Sequence, residues 1–242
     1  MSEVLVEVSG LSKAYGRVTA LDGVGFSIRS GELLGLIGPN GAGKTTLFEC
    51  LAAVQPANGG RVVLKAPQAE HGRRSSLMFY LPDAIAPWPD QPVKRALEFS
   101  LDFLGGRRNA YQEVVDDLKL APFLRTPLGD LSKGQRKRVL VGLALLSPQA
   151  VLLIDEPFEG LDLRQTRDAA AALKKHVASG RTIFVSIHQI SEAARLCDRL
   201  VLLSEGRVVA EGTPDELTAL ATRRLGQAPP SGFEEVFLAL TE

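Results

Sequence analysis

The chain has 242 residues, 45% of them hydrophobic, with 28 Lys and Arg residues, 28 Asp and Glu residues and a formal net charge of zero. A domain commonly spans about 100–200 residues, so this length suits one large domain or two small ones. A chain of this size buries enough apolar surface to fold without disulfides or a structural metal. The balanced charge argues against a nucleic-acid-binding protein with a basic face and against a disordered polyelectrolyte.

Cysteine usage and hydropathy indicate the compartment. Cys50 and Cys197 are the only cysteines and form no CxxC pair, so neither a zinc site nor a disulfide framework is expected. The longest apolar run, residues 139–146, is shorter than the about 20 residues that a membrane-spanning helix needs. Residues 1–10 resemble a strand rather than a secretion signal. We expect a soluble, intracellular protein that can still dock on a membrane protein.

The first third of the chain predicts mainly β-structure. Short runs of alternating or continuous apolar residues predict strands, and the stretch after residue 44 has helical spacing. The predicted elements are strands at 4–8, 26–28, 33–37, 61–64 and 76–80, a helix at 45–53, and irregular structure at 66–75.

A proline-rich stretch, residues 82–92, contains four prolines and predicts a loop that ends this β-rich part. Beyond it, helices are predicted at 93–104, 109–120, 135–146 and 164–179, and strands at 151–154, 182–187, 199–203 and 207–211. Gly180 is the predicted stop of the helix at 164–179. The alternation of strands and helices predicts an α/β fold with a largely parallel sheet.

The strongest motif lies between a predicted strand and a predicted helix. It matches the pattern G-x-x-x-x-G-K-[ST] in full and reads Gly38-Pro39-Asn40-Gly41-Ala42-Gly43-Lys44-Thr45, followed by Thr46. Glycines let backbone N–H groups curve around phosphate oxygens, and the helix N-terminus attracts the anion. Lys44 then reaches the β- and γ-phosphates, and the Thr45 hydroxyl binds Mg²⁺. The motif predicts a nucleoside triphosphate site; the alternative is a glycine-rich turn that binds nothing.

Two carboxylates follow the predicted strand at 151–154. Asp155, at the end of the strand, is placed to hold Mg²⁺, and Glu156 is placed to polarise a water molecule for attack on the γ-phosphate. The alternative is a pair of solvated acids at the end of a strand. Combined with the glycine-rich loop, this pair predicts nucleotide hydrolysis.

A third motif, Leu131-Ser132-Lys133-Gly134-Gln135, lies at the start of the predicted helix at 135–146. It resembles the signature loop Leu-Ser-Gly-Gly-Gln of the ATP-binding cassette (ABC) transporter ATPases, with Lys133 in place of the first glycine. The resemblance implies a head-to-tail dimer in which Ser132, Gly134 and Gln135 cover the ATP bound by the partner subunit. From its own residues the segment is also a helix N-cap, with Ser132 and Gln135 as a capping box.

Two further positions resemble landmarks of the same family. By that resemblance, Tyr15 stacks on adenine, and Asp162 in Gly160-Leu161-Asp162 belongs to the loop that crosses the dimer interface. Stacking of a base on an aromatic ring contributes about 1–3 kcal/mol. The alternatives are a turn aromatic before Gly16 and a simple helix lead-in at Asp162.

His188, at the end of the predicted strand at 182–187, resembles the histidine that contacts the γ-phosphate. Its imidazole can donate a hydrogen bond to phosphate and interact with Glu156. The alternative is a loop histidine with a structural partner. The other two histidines, His71 and His176, lie among Arg and Lys residues and are expected to be solvated.

Asp83 departs from the family pattern. The family usually carries glutamine here, whose carbonyl reaches Mg²⁺ and whose loop touches the membrane subunit. A carboxylate also binds Mg²⁺, so Thr45, Asp83 and Asp155 form the predicted metal site. Asp83 nevertheless adds a negative charge near the triphosphate. The alternative is that Asp83 only caps the following turn.

The resemblance implies one ABC ATPase cassette over residues 1–222, with an antiparallel β subdomain and a helical subdomain inserted at about 84–147. Residues 223–242 are predicted as a linker followed by an amphipathic helix with the apolar residues Phe233, Val236, Phe237 and Leu240 on one face. This tail is similar to those of cassettes that serve separately encoded export permeases. The alternative is a helix that packs on its own domain.

Taken as a whole, the resemblance implies an ATPase subunit that binds ATP and Mg²⁺, dimerises around two ATP molecules and drives a separate transmembrane permease, in the direction of export. Its partners are then a second nucleotide-binding subunit and that permease, with no nucleic acid. Its place is the inner face of the cell membrane, held there by the permease. Two alternatives remain: a soluble ABC-type ATPase without a transport role, and an ATP-gated regulatory module.

Overall fold

The computed structural model describes residues 3–66, 73–83, 85, 87–106, 108–226 and 230–241. The strands in these residues span Val4–Tyr15 (β1), Val18–Arg29 (β2), Leu33–Ile37 (β3), Gly59–Leu64 (β4), Met78–Leu81 (β5), Val151–Ile154 (β6), Thr182–Ser186 (β7), Arg199–Ser204 (β8) and Arg207–Gly212 (β9). They form an antiparallel sheet in the order β2-β1-β4 and a second sheet in the order β5-β6-β7-β3-β8-β9.

The second sheet is parallel from β5 to β8, and β9 pairs with β8 as an antiparallel edge strand. Every residue of β3, β6 and β7 is buried. A parallel strand covered on both faces needs a continuous apolar sequence, which is the pattern these strands show. The predicted α/β fold with a largely parallel sheet is therefore confirmed, and the carboxyl ends of its parallel strands share one edge.

The antiparallel sheet extends further than predicted. β1 and β2 each have 12 residues, whereas the apolar pattern indicated only residues 4–8 and 26–28. Register shifts between Val8 and Leu11, and again between Leu11 and Lys13, interrupt the pairing of these strands. A bulge shifts the alternation of side chains between the two faces of the sheet. The apolar alternation in the sequence is therefore interrupted at the bulge, although the strand itself continues.

The helices span Lys44–Leu51 (α1), Arg74–Leu77 (α2), Val93–Leu104 (α3), Ala110–Asp117 (α4), Lys133–Leu146 (α5), Leu163–Ala178 (α6), Ile190–Leu196 (α7), Pro214–Leu225 (α8) and Phe233–Thr241 (α9). The sequence predictions missed α7 and α8. The capping box of α8, in which Thr213 and Glu216 bond to each other's backbone N–H, was a usable signal. Because α8 runs to Leu225, the linker predicted from residue 223 begins later. None of these helices is long and apolar enough to cross a membrane within the described residues.

The predicted strand at 76–80 is wrong at its start, because Ser76 lies in α2 and β5 begins at Met78. Arg74 Nη1 donates a hydrogen bond of 2.5 Å to the carbonyl oxygen of Cys50, at the end of α1. Ser76 Oγ donates to the carbonyl oxygen of Arg73 at 2.7 Å. A contact with a distant helix thus favours a helical turn where the local pattern predicted a strand.

Two buried apolar clusters lie on opposite faces of the parallel sheet. In β6, Leu152 and Ile154 belong to the cluster that contains α3 to α6, while Val151 and Leu153 belong to the cluster with β1, β2 and α1. Nearly all of α5 is buried in the first cluster. The longest apolar run of the sequence is therefore a core helix.

The C-terminal helix α9 packs on the rest of the chain. Val236, Phe237 and Leu240 are buried and belong to the first cluster, against α7 and α8. Arg224 Nη1 donates to the carbonyl oxygen of Leu240 at 3.0 Å and fixes the end of the helix. This packing supports the alternative interpretation of the tail, a helix that docks on its own domain.

His176 is buried near the end of α6, so the prediction of a solvated side chain is wrong; His71 lies outside the described residues. No hydrogen-bond partner for His176 Nε2 occurs among the described residues. Burial, followed by the charge of Arg181, lowers the pKa of His176 below its usual value of 6.5. Its aliphatic neighbours on an amphipathic helix, rather than the adjacent Lys residues, decide which way it faces.

We expect this histidine to make the protein acid-sensitive. A group whose folded-state pKa is lowered contributes full stability above the unfolded pKa and loses it as the pH falls, because the unfolded chain binds the proton first. Below pH 6.5 the free energy of unfolding of the wild type should drop faster than that of His176→Leu, by up to about 1.4 kcal/mol per pH unit. Urea denaturation between pH 5 and 7.5 measures both slopes, and equal slopes contradict the prediction.

Candidate active site

The predicted site residues meet at the carboxyl edge of the parallel sheet. The glycine-rich loop follows β3, Asp155 and Glu156 follow β6, His188 follows β7, and Asp83 follows β5. Loops at this edge of an open α/β sheet are the usual place for a ligand. The parallel topology therefore assembles four segments that lie far apart in the chain.

The glycines of the loop between β3 and α1 are required by their surroundings. Gly41 and Gly43 have φ angles of +82° and +102°, in the left-handed region that favours glycine. A Cβ at Gly43 would lie 2.4 Å from the carbonyl oxygen of Ala20, and one at Gly38 would lie 2.3 Å from that of Leu203. The loop is consequently wedged between β2 and the end of β8, and only glycine fits at these two positions.

Lys44 begins α1 and is buried beneath this loop. Its Nζ donates hydrogen bonds to the carbonyl oxygens of Gly38, at 2.8 Å, and Pro39, at 3.3 Å. Burial lowers the pKa of Lys44, and the charges of Glu156 and Asp155 oppose that shift. The ammonium group thus lies within the loop where the motif predicts a phosphate.

Asp155 is held by hydroxyls on both of its oxygens. Thr45 Oγ1 donates to Oδ2 at 2.7 Å, and Ser186 Oγ donates to Oδ1 at 2.5 Å. A hydroxyl and a carboxylate side by side are the hard oxygen donors that Mg²⁺ prefers, so these residues fit that ion. Ser186 was missed by the sequence reasoning; its only signal is a polar residue at the end of the buried apolar strand β7.

Glu156 adopts a strained backbone conformation, with φ +50°. Its backbone N–H donates to Ser186 Oγ at 2.9 Å, and its Oε1 lies 3.2 Å from His188 Nε2. Burial raises the pKa of Glu156 to about 7, with Lys44 acting in the opposite direction and Asp155 in the same one. The carboxyl group therefore exchanges its proton near neutral pH, which suits a general base.

A pocket of about 320 Å³ contains most of these groups. Its walls are formed by Ala20, Pro39, Asn40, Gly41, Gly43, Lys44, Thr45, Thr46, Asp83, Asp155, Glu156, Glu159 and His188. Gly38 and Ala42 belong to the loop but not to the wall. Tyr15 also stays outside: it ends β1, about half exposed, with Lys13 Nζ 4.9 Å from its ring centroid. Its predicted contact with adenine stays a prediction.

None of the residues Ser132, Gly134 and Gln135 contributes to this pocket. The predicted capping box is present at the start of α5: Ser132 Oγ accepts from the Gln135 N–H at 3.2 Å, and Gln135 Oε1 accepts from the Ser132 N–H at 2.9 Å. A Cβ at Gly134 would lie 2.9 Å from the carbonyl oxygen of Gly160. The loop thus packs on its own chain, and its predicted role toward a partner subunit stays a prediction.

The segment before α6 forms a second cap. Asp162 Oδ1 accepts from the Gln165 N–H at 2.8 Å, and Leu163 is 88% exposed. Beside it lies a cavity of about 400 Å³ that reaches Glu156 and His188. Asp162 therefore caps a helix, as the alternative interpretation proposed, while the adjacent Leu163 projects into solvent.

Asp83 lies in the pocket wall but is paired. Lys137 Nζ, on α5, donates to Asp83 Oδ1 at 2.5 Å. No local pattern could have revealed Lys137, because 54 positions separate the two residues.

The fold and this pocket define a P-loop nucleoside triphosphatase: a parallel sheet, a glycine-rich loop before a helix, and a carboxylate held beside the loop threonine. Residues 21–159 match the family model described as ABC transporter. The chain belongs to that family, as an ATP-binding subunit.

The chain is 34% identical over 222 residues to a Nod factor export ATP-binding protein I of Ralstonia nicotianae, a match that covers 89% of this chain and 69% of the relative. It is 33% identical over 220 residues to an sn-glycerol-3-phosphate import ATP-binding protein of Rhizobium johnstonii, over 88% of this chain and 59% of the relative. A solved ATP-binding subunit of an ABC transporter superposes with a TM-score of 0.85 at 27% identity, over 98% of this chain and 100% of that one. The relatives thus include both an export and an import protein.

Proposed function

We propose that this protein hydrolyses ATP and uses the energy to drive a separate membrane permease. The observation that carries the proposal is the convergence of Thr45, Asp155, Glu156 and His188 on the Lys44 loop, at one edge of the sheet. Each of these side chains has a distinct task in phosphoryl transfer to water. A pocket that only bound nucleotide would need no carboxylate paired with a histidine beside the phosphate loop.

In this proposal the chain binds ATP through the loop N–H groups and Lys44. Thr45 and Asp155 would hold Mg²⁺, and the ion would neutralise charge on the phosphate oxygens. Ser186 and Thr45 keep the carboxylate of Asp155 in place by their hydrogen bonds. Asp83, the third predicted ligand, lines the same pocket.

Glu156 accepts the proton of the attacking water, and His188 orients Glu156. The distance of 3.2 Å between His188 Nε2 and Glu156 Oε1 supports this pairing. Histidine also donates a hydrogen bond to a phosphate oxygen, which links the base to the group being transferred.

The signature loop acts on a second subunit. Ser132 stands outside its own pocket, at the N-terminus of a 14-residue helix whose positive end attracts anions. We place it over the ATP of a head-to-tail partner, with Asp162 and the exposed Leu163 at the interface. Two ATP molecules then join the subunits, and hydrolysis separates them.

We further propose that the permease is a separate chain and that this protein works at the cytoplasmic face of the membrane. The direction we favour is export, since several relatives carry Nod factor export names. The relatives also include an import protein, so transport measured in inside-out and right-side-out vesicles tests the direction.

The dimer is tested with Ser132→Arg in a Glu156→Gln background, which traps bound ATP. We expect Glu156→Gln alone to shift from monomer to dimer on adding ATP and Mg²⁺, as measured by sizing with light scattering. The long charged side chain of Ser132→Arg should block closure and leave a monomer, because it occupies the space of the partner's phosphate.

Thr213→Arg is the matched control, since Thr213 caps α8 with the same kind of capping box and does not line the pocket. It loses a cap of about 0.5–2 kcal/mol, as Ser132→Arg does, and should still dimerise. An ATP-dependent dimer that survives Ser132→Arg contradicts the head-to-tail arrangement.

A further inference from the structure

Lys137 is a charged side chain in an unusual place. It lies in the second turn of α5, with only 6% of its side chain exposed, and its Nζ donates to Asp83 Oδ1. Burying an ammonium group is costly unless a charged partner compensates. Lys133, one turn earlier on the same helix, pairs with Glu159 but is 66% exposed. The burial of its lysine thus separates the Lys137 pair from an ordinary surface ion pair, although Asp83 itself is 36% exposed.

The partner of Lys137 faces a site that is already rich in negative charge. Four acidic residues line the pocket: Asp83, Asp155, Glu156 and Glu159. Lys44 is the only lysine or arginine among the described residues that line it. ATP brings further negative charge to the same space. Two charges a few ångströms apart interact strongly in a partly buried site, so an uncompensated Asp83 would repel the phosphates.

We infer that Lys137 is a positioning residue for the nucleotide site: it holds the Asp83 carboxylate at the pocket wall and neutralises it, so that Asp83 meets ATP and Mg²⁺ as half of a neutral pair. This inference rests on the proposed ATPase function. It also connects the loop after β5 to α5, the helix that begins with the signature loop. The identity of residue 83 alone does not reveal this charge compensation, because the compensating lysine lies on another element.

The test is a double-mutant cycle of Lys137→Met, Asp83→Asn and the double variant, with ATP affinity measured by calorimetry in EDTA and in excess Mg²⁺. We expect Lys137→Met to weaken metal-free ATP binding about tenfold, within the range of coupled charge networks. Mg²⁺ should restore most of that loss, because the ion neutralises the exposed Asp83 carboxylate. The factor by which Mg²⁺ tightens binding therefore increases in this variant.

Asp83→Asn should have the opposite effect, with tighter metal-free binding and a smaller Mg²⁺ factor, because Lys137 then faces the phosphates without a partner. The double variant should return to within about twofold of the wild type in EDTA. Lys137→Arg keeps the charge and should keep both wild-type affinities. Lys175→Met is the matched control, since it removes a lysine that pairs with Glu113 and Asp117 at the surface, and should change neither affinity.

A purely structural pair predicts another result. The single variants would then lower the melting temperature and leave the ATP affinity and the Mg²⁺ factor unchanged, which overturns the inference. If Lys137→Met does not fold, Asp83→Asn decides the matter, and an unchanged Mg²⁺ factor in that variant is sufficient to reject it. A wild type that binds no ATP contradicts the proposed function itself, and the inference with it.

Discussion

Replacing Glu156 with glutamine should lower steady-state ATP hydrolysis by about 10²–10⁴-fold, the usual contribution of a general base, while ATP binding is retained. Glutamine has the same shape as glutamate but cannot accept a proton from water. The hydrogen bond from the Glu156 backbone N–H to Ser186 Oγ does not depend on the side chain of residue 156, so the strained turn should persist. Phosphate release and ATP affinity, measured on the same sample, separate loss of chemistry from loss of binding.

The pH profile is a second measurement of the same role. Because burial raises the pKa of Glu156 to about 7, the base is protonated and inactive at lower pH. The wild-type kcat/KM, which reports on the free enzyme, should fall as the pH decreases below about 7 and level off above it.

Glu113→Gln is a suitable control, because this glutamate lies on α4 and pairs with Lys175 at the surface. We expect it to hydrolyse ATP at the wild-type rate. Near-normal hydrolysis in Glu156→Gln, or a flat wild-type profile between pH 6 and 8, would remove Glu156 from the role of base.

The largest effect on stability is expected for Arg199→Met, with a loss of about 3–5 kcal/mol in the free energy of unfolding. Arg199 begins β8 and is buried between two carboxylates. Its Nη1 donates to both oxygens of Glu32, at 3.0 and 2.8 Å, and its Nη2 pairs with Glu211 on β9. Methionine fills similar volume but leaves the buried carboxylate of Glu32 without a cation, and it also removes the partner of Glu211, whose side chain is 26% exposed.

Urea denaturation at neutral pH measures this loss as a lower midpoint. Arg207→Met is the matched control on the neighbouring strand, since Arg207 pairs with Asp22 while both side chains remain largely exposed. An exposed pair of this kind is worth about 0–1 kcal/mol. If Arg199→Met costs no more than Arg207→Met, the buried network does not stabilise the sheet edge.

Much of the candidate site was predictable because its parts are local in sequence. The glycine-rich loop is one uninterrupted motif, and Asp155 and Glu156 directly follow a continuous apolar strand. In a parallel sheet such loops necessarily meet at one edge, so the convergence of Lys44 and Asp155 followed from the predicted fold. The capping boxes at Ser132 and Asp162 are likewise patterns of four residues.

Other features could not be predicted from local patterns. Ser186 reaches Asp155 from the adjacent strand, and Arg74 stabilises a helical turn by bonding to Cys50 in another helix. His176 is buried although its neighbours in sequence are charged. In each case packing against a distant element overrides the local pattern.

The sequence by itself determined the class of fold and the chemistry of the phosphate loop, because the motif and the apolar runs that predict them are made of residues close together in the chain. Tertiary structure alone decided which charges meet. Asp83 read in isolation is an extra negative charge near the triphosphate, and only the packing of α5 beside the loop after β5 brings Lys137 to it. Electrostatic energy depends on distance in space, and distance along the chain does not report it.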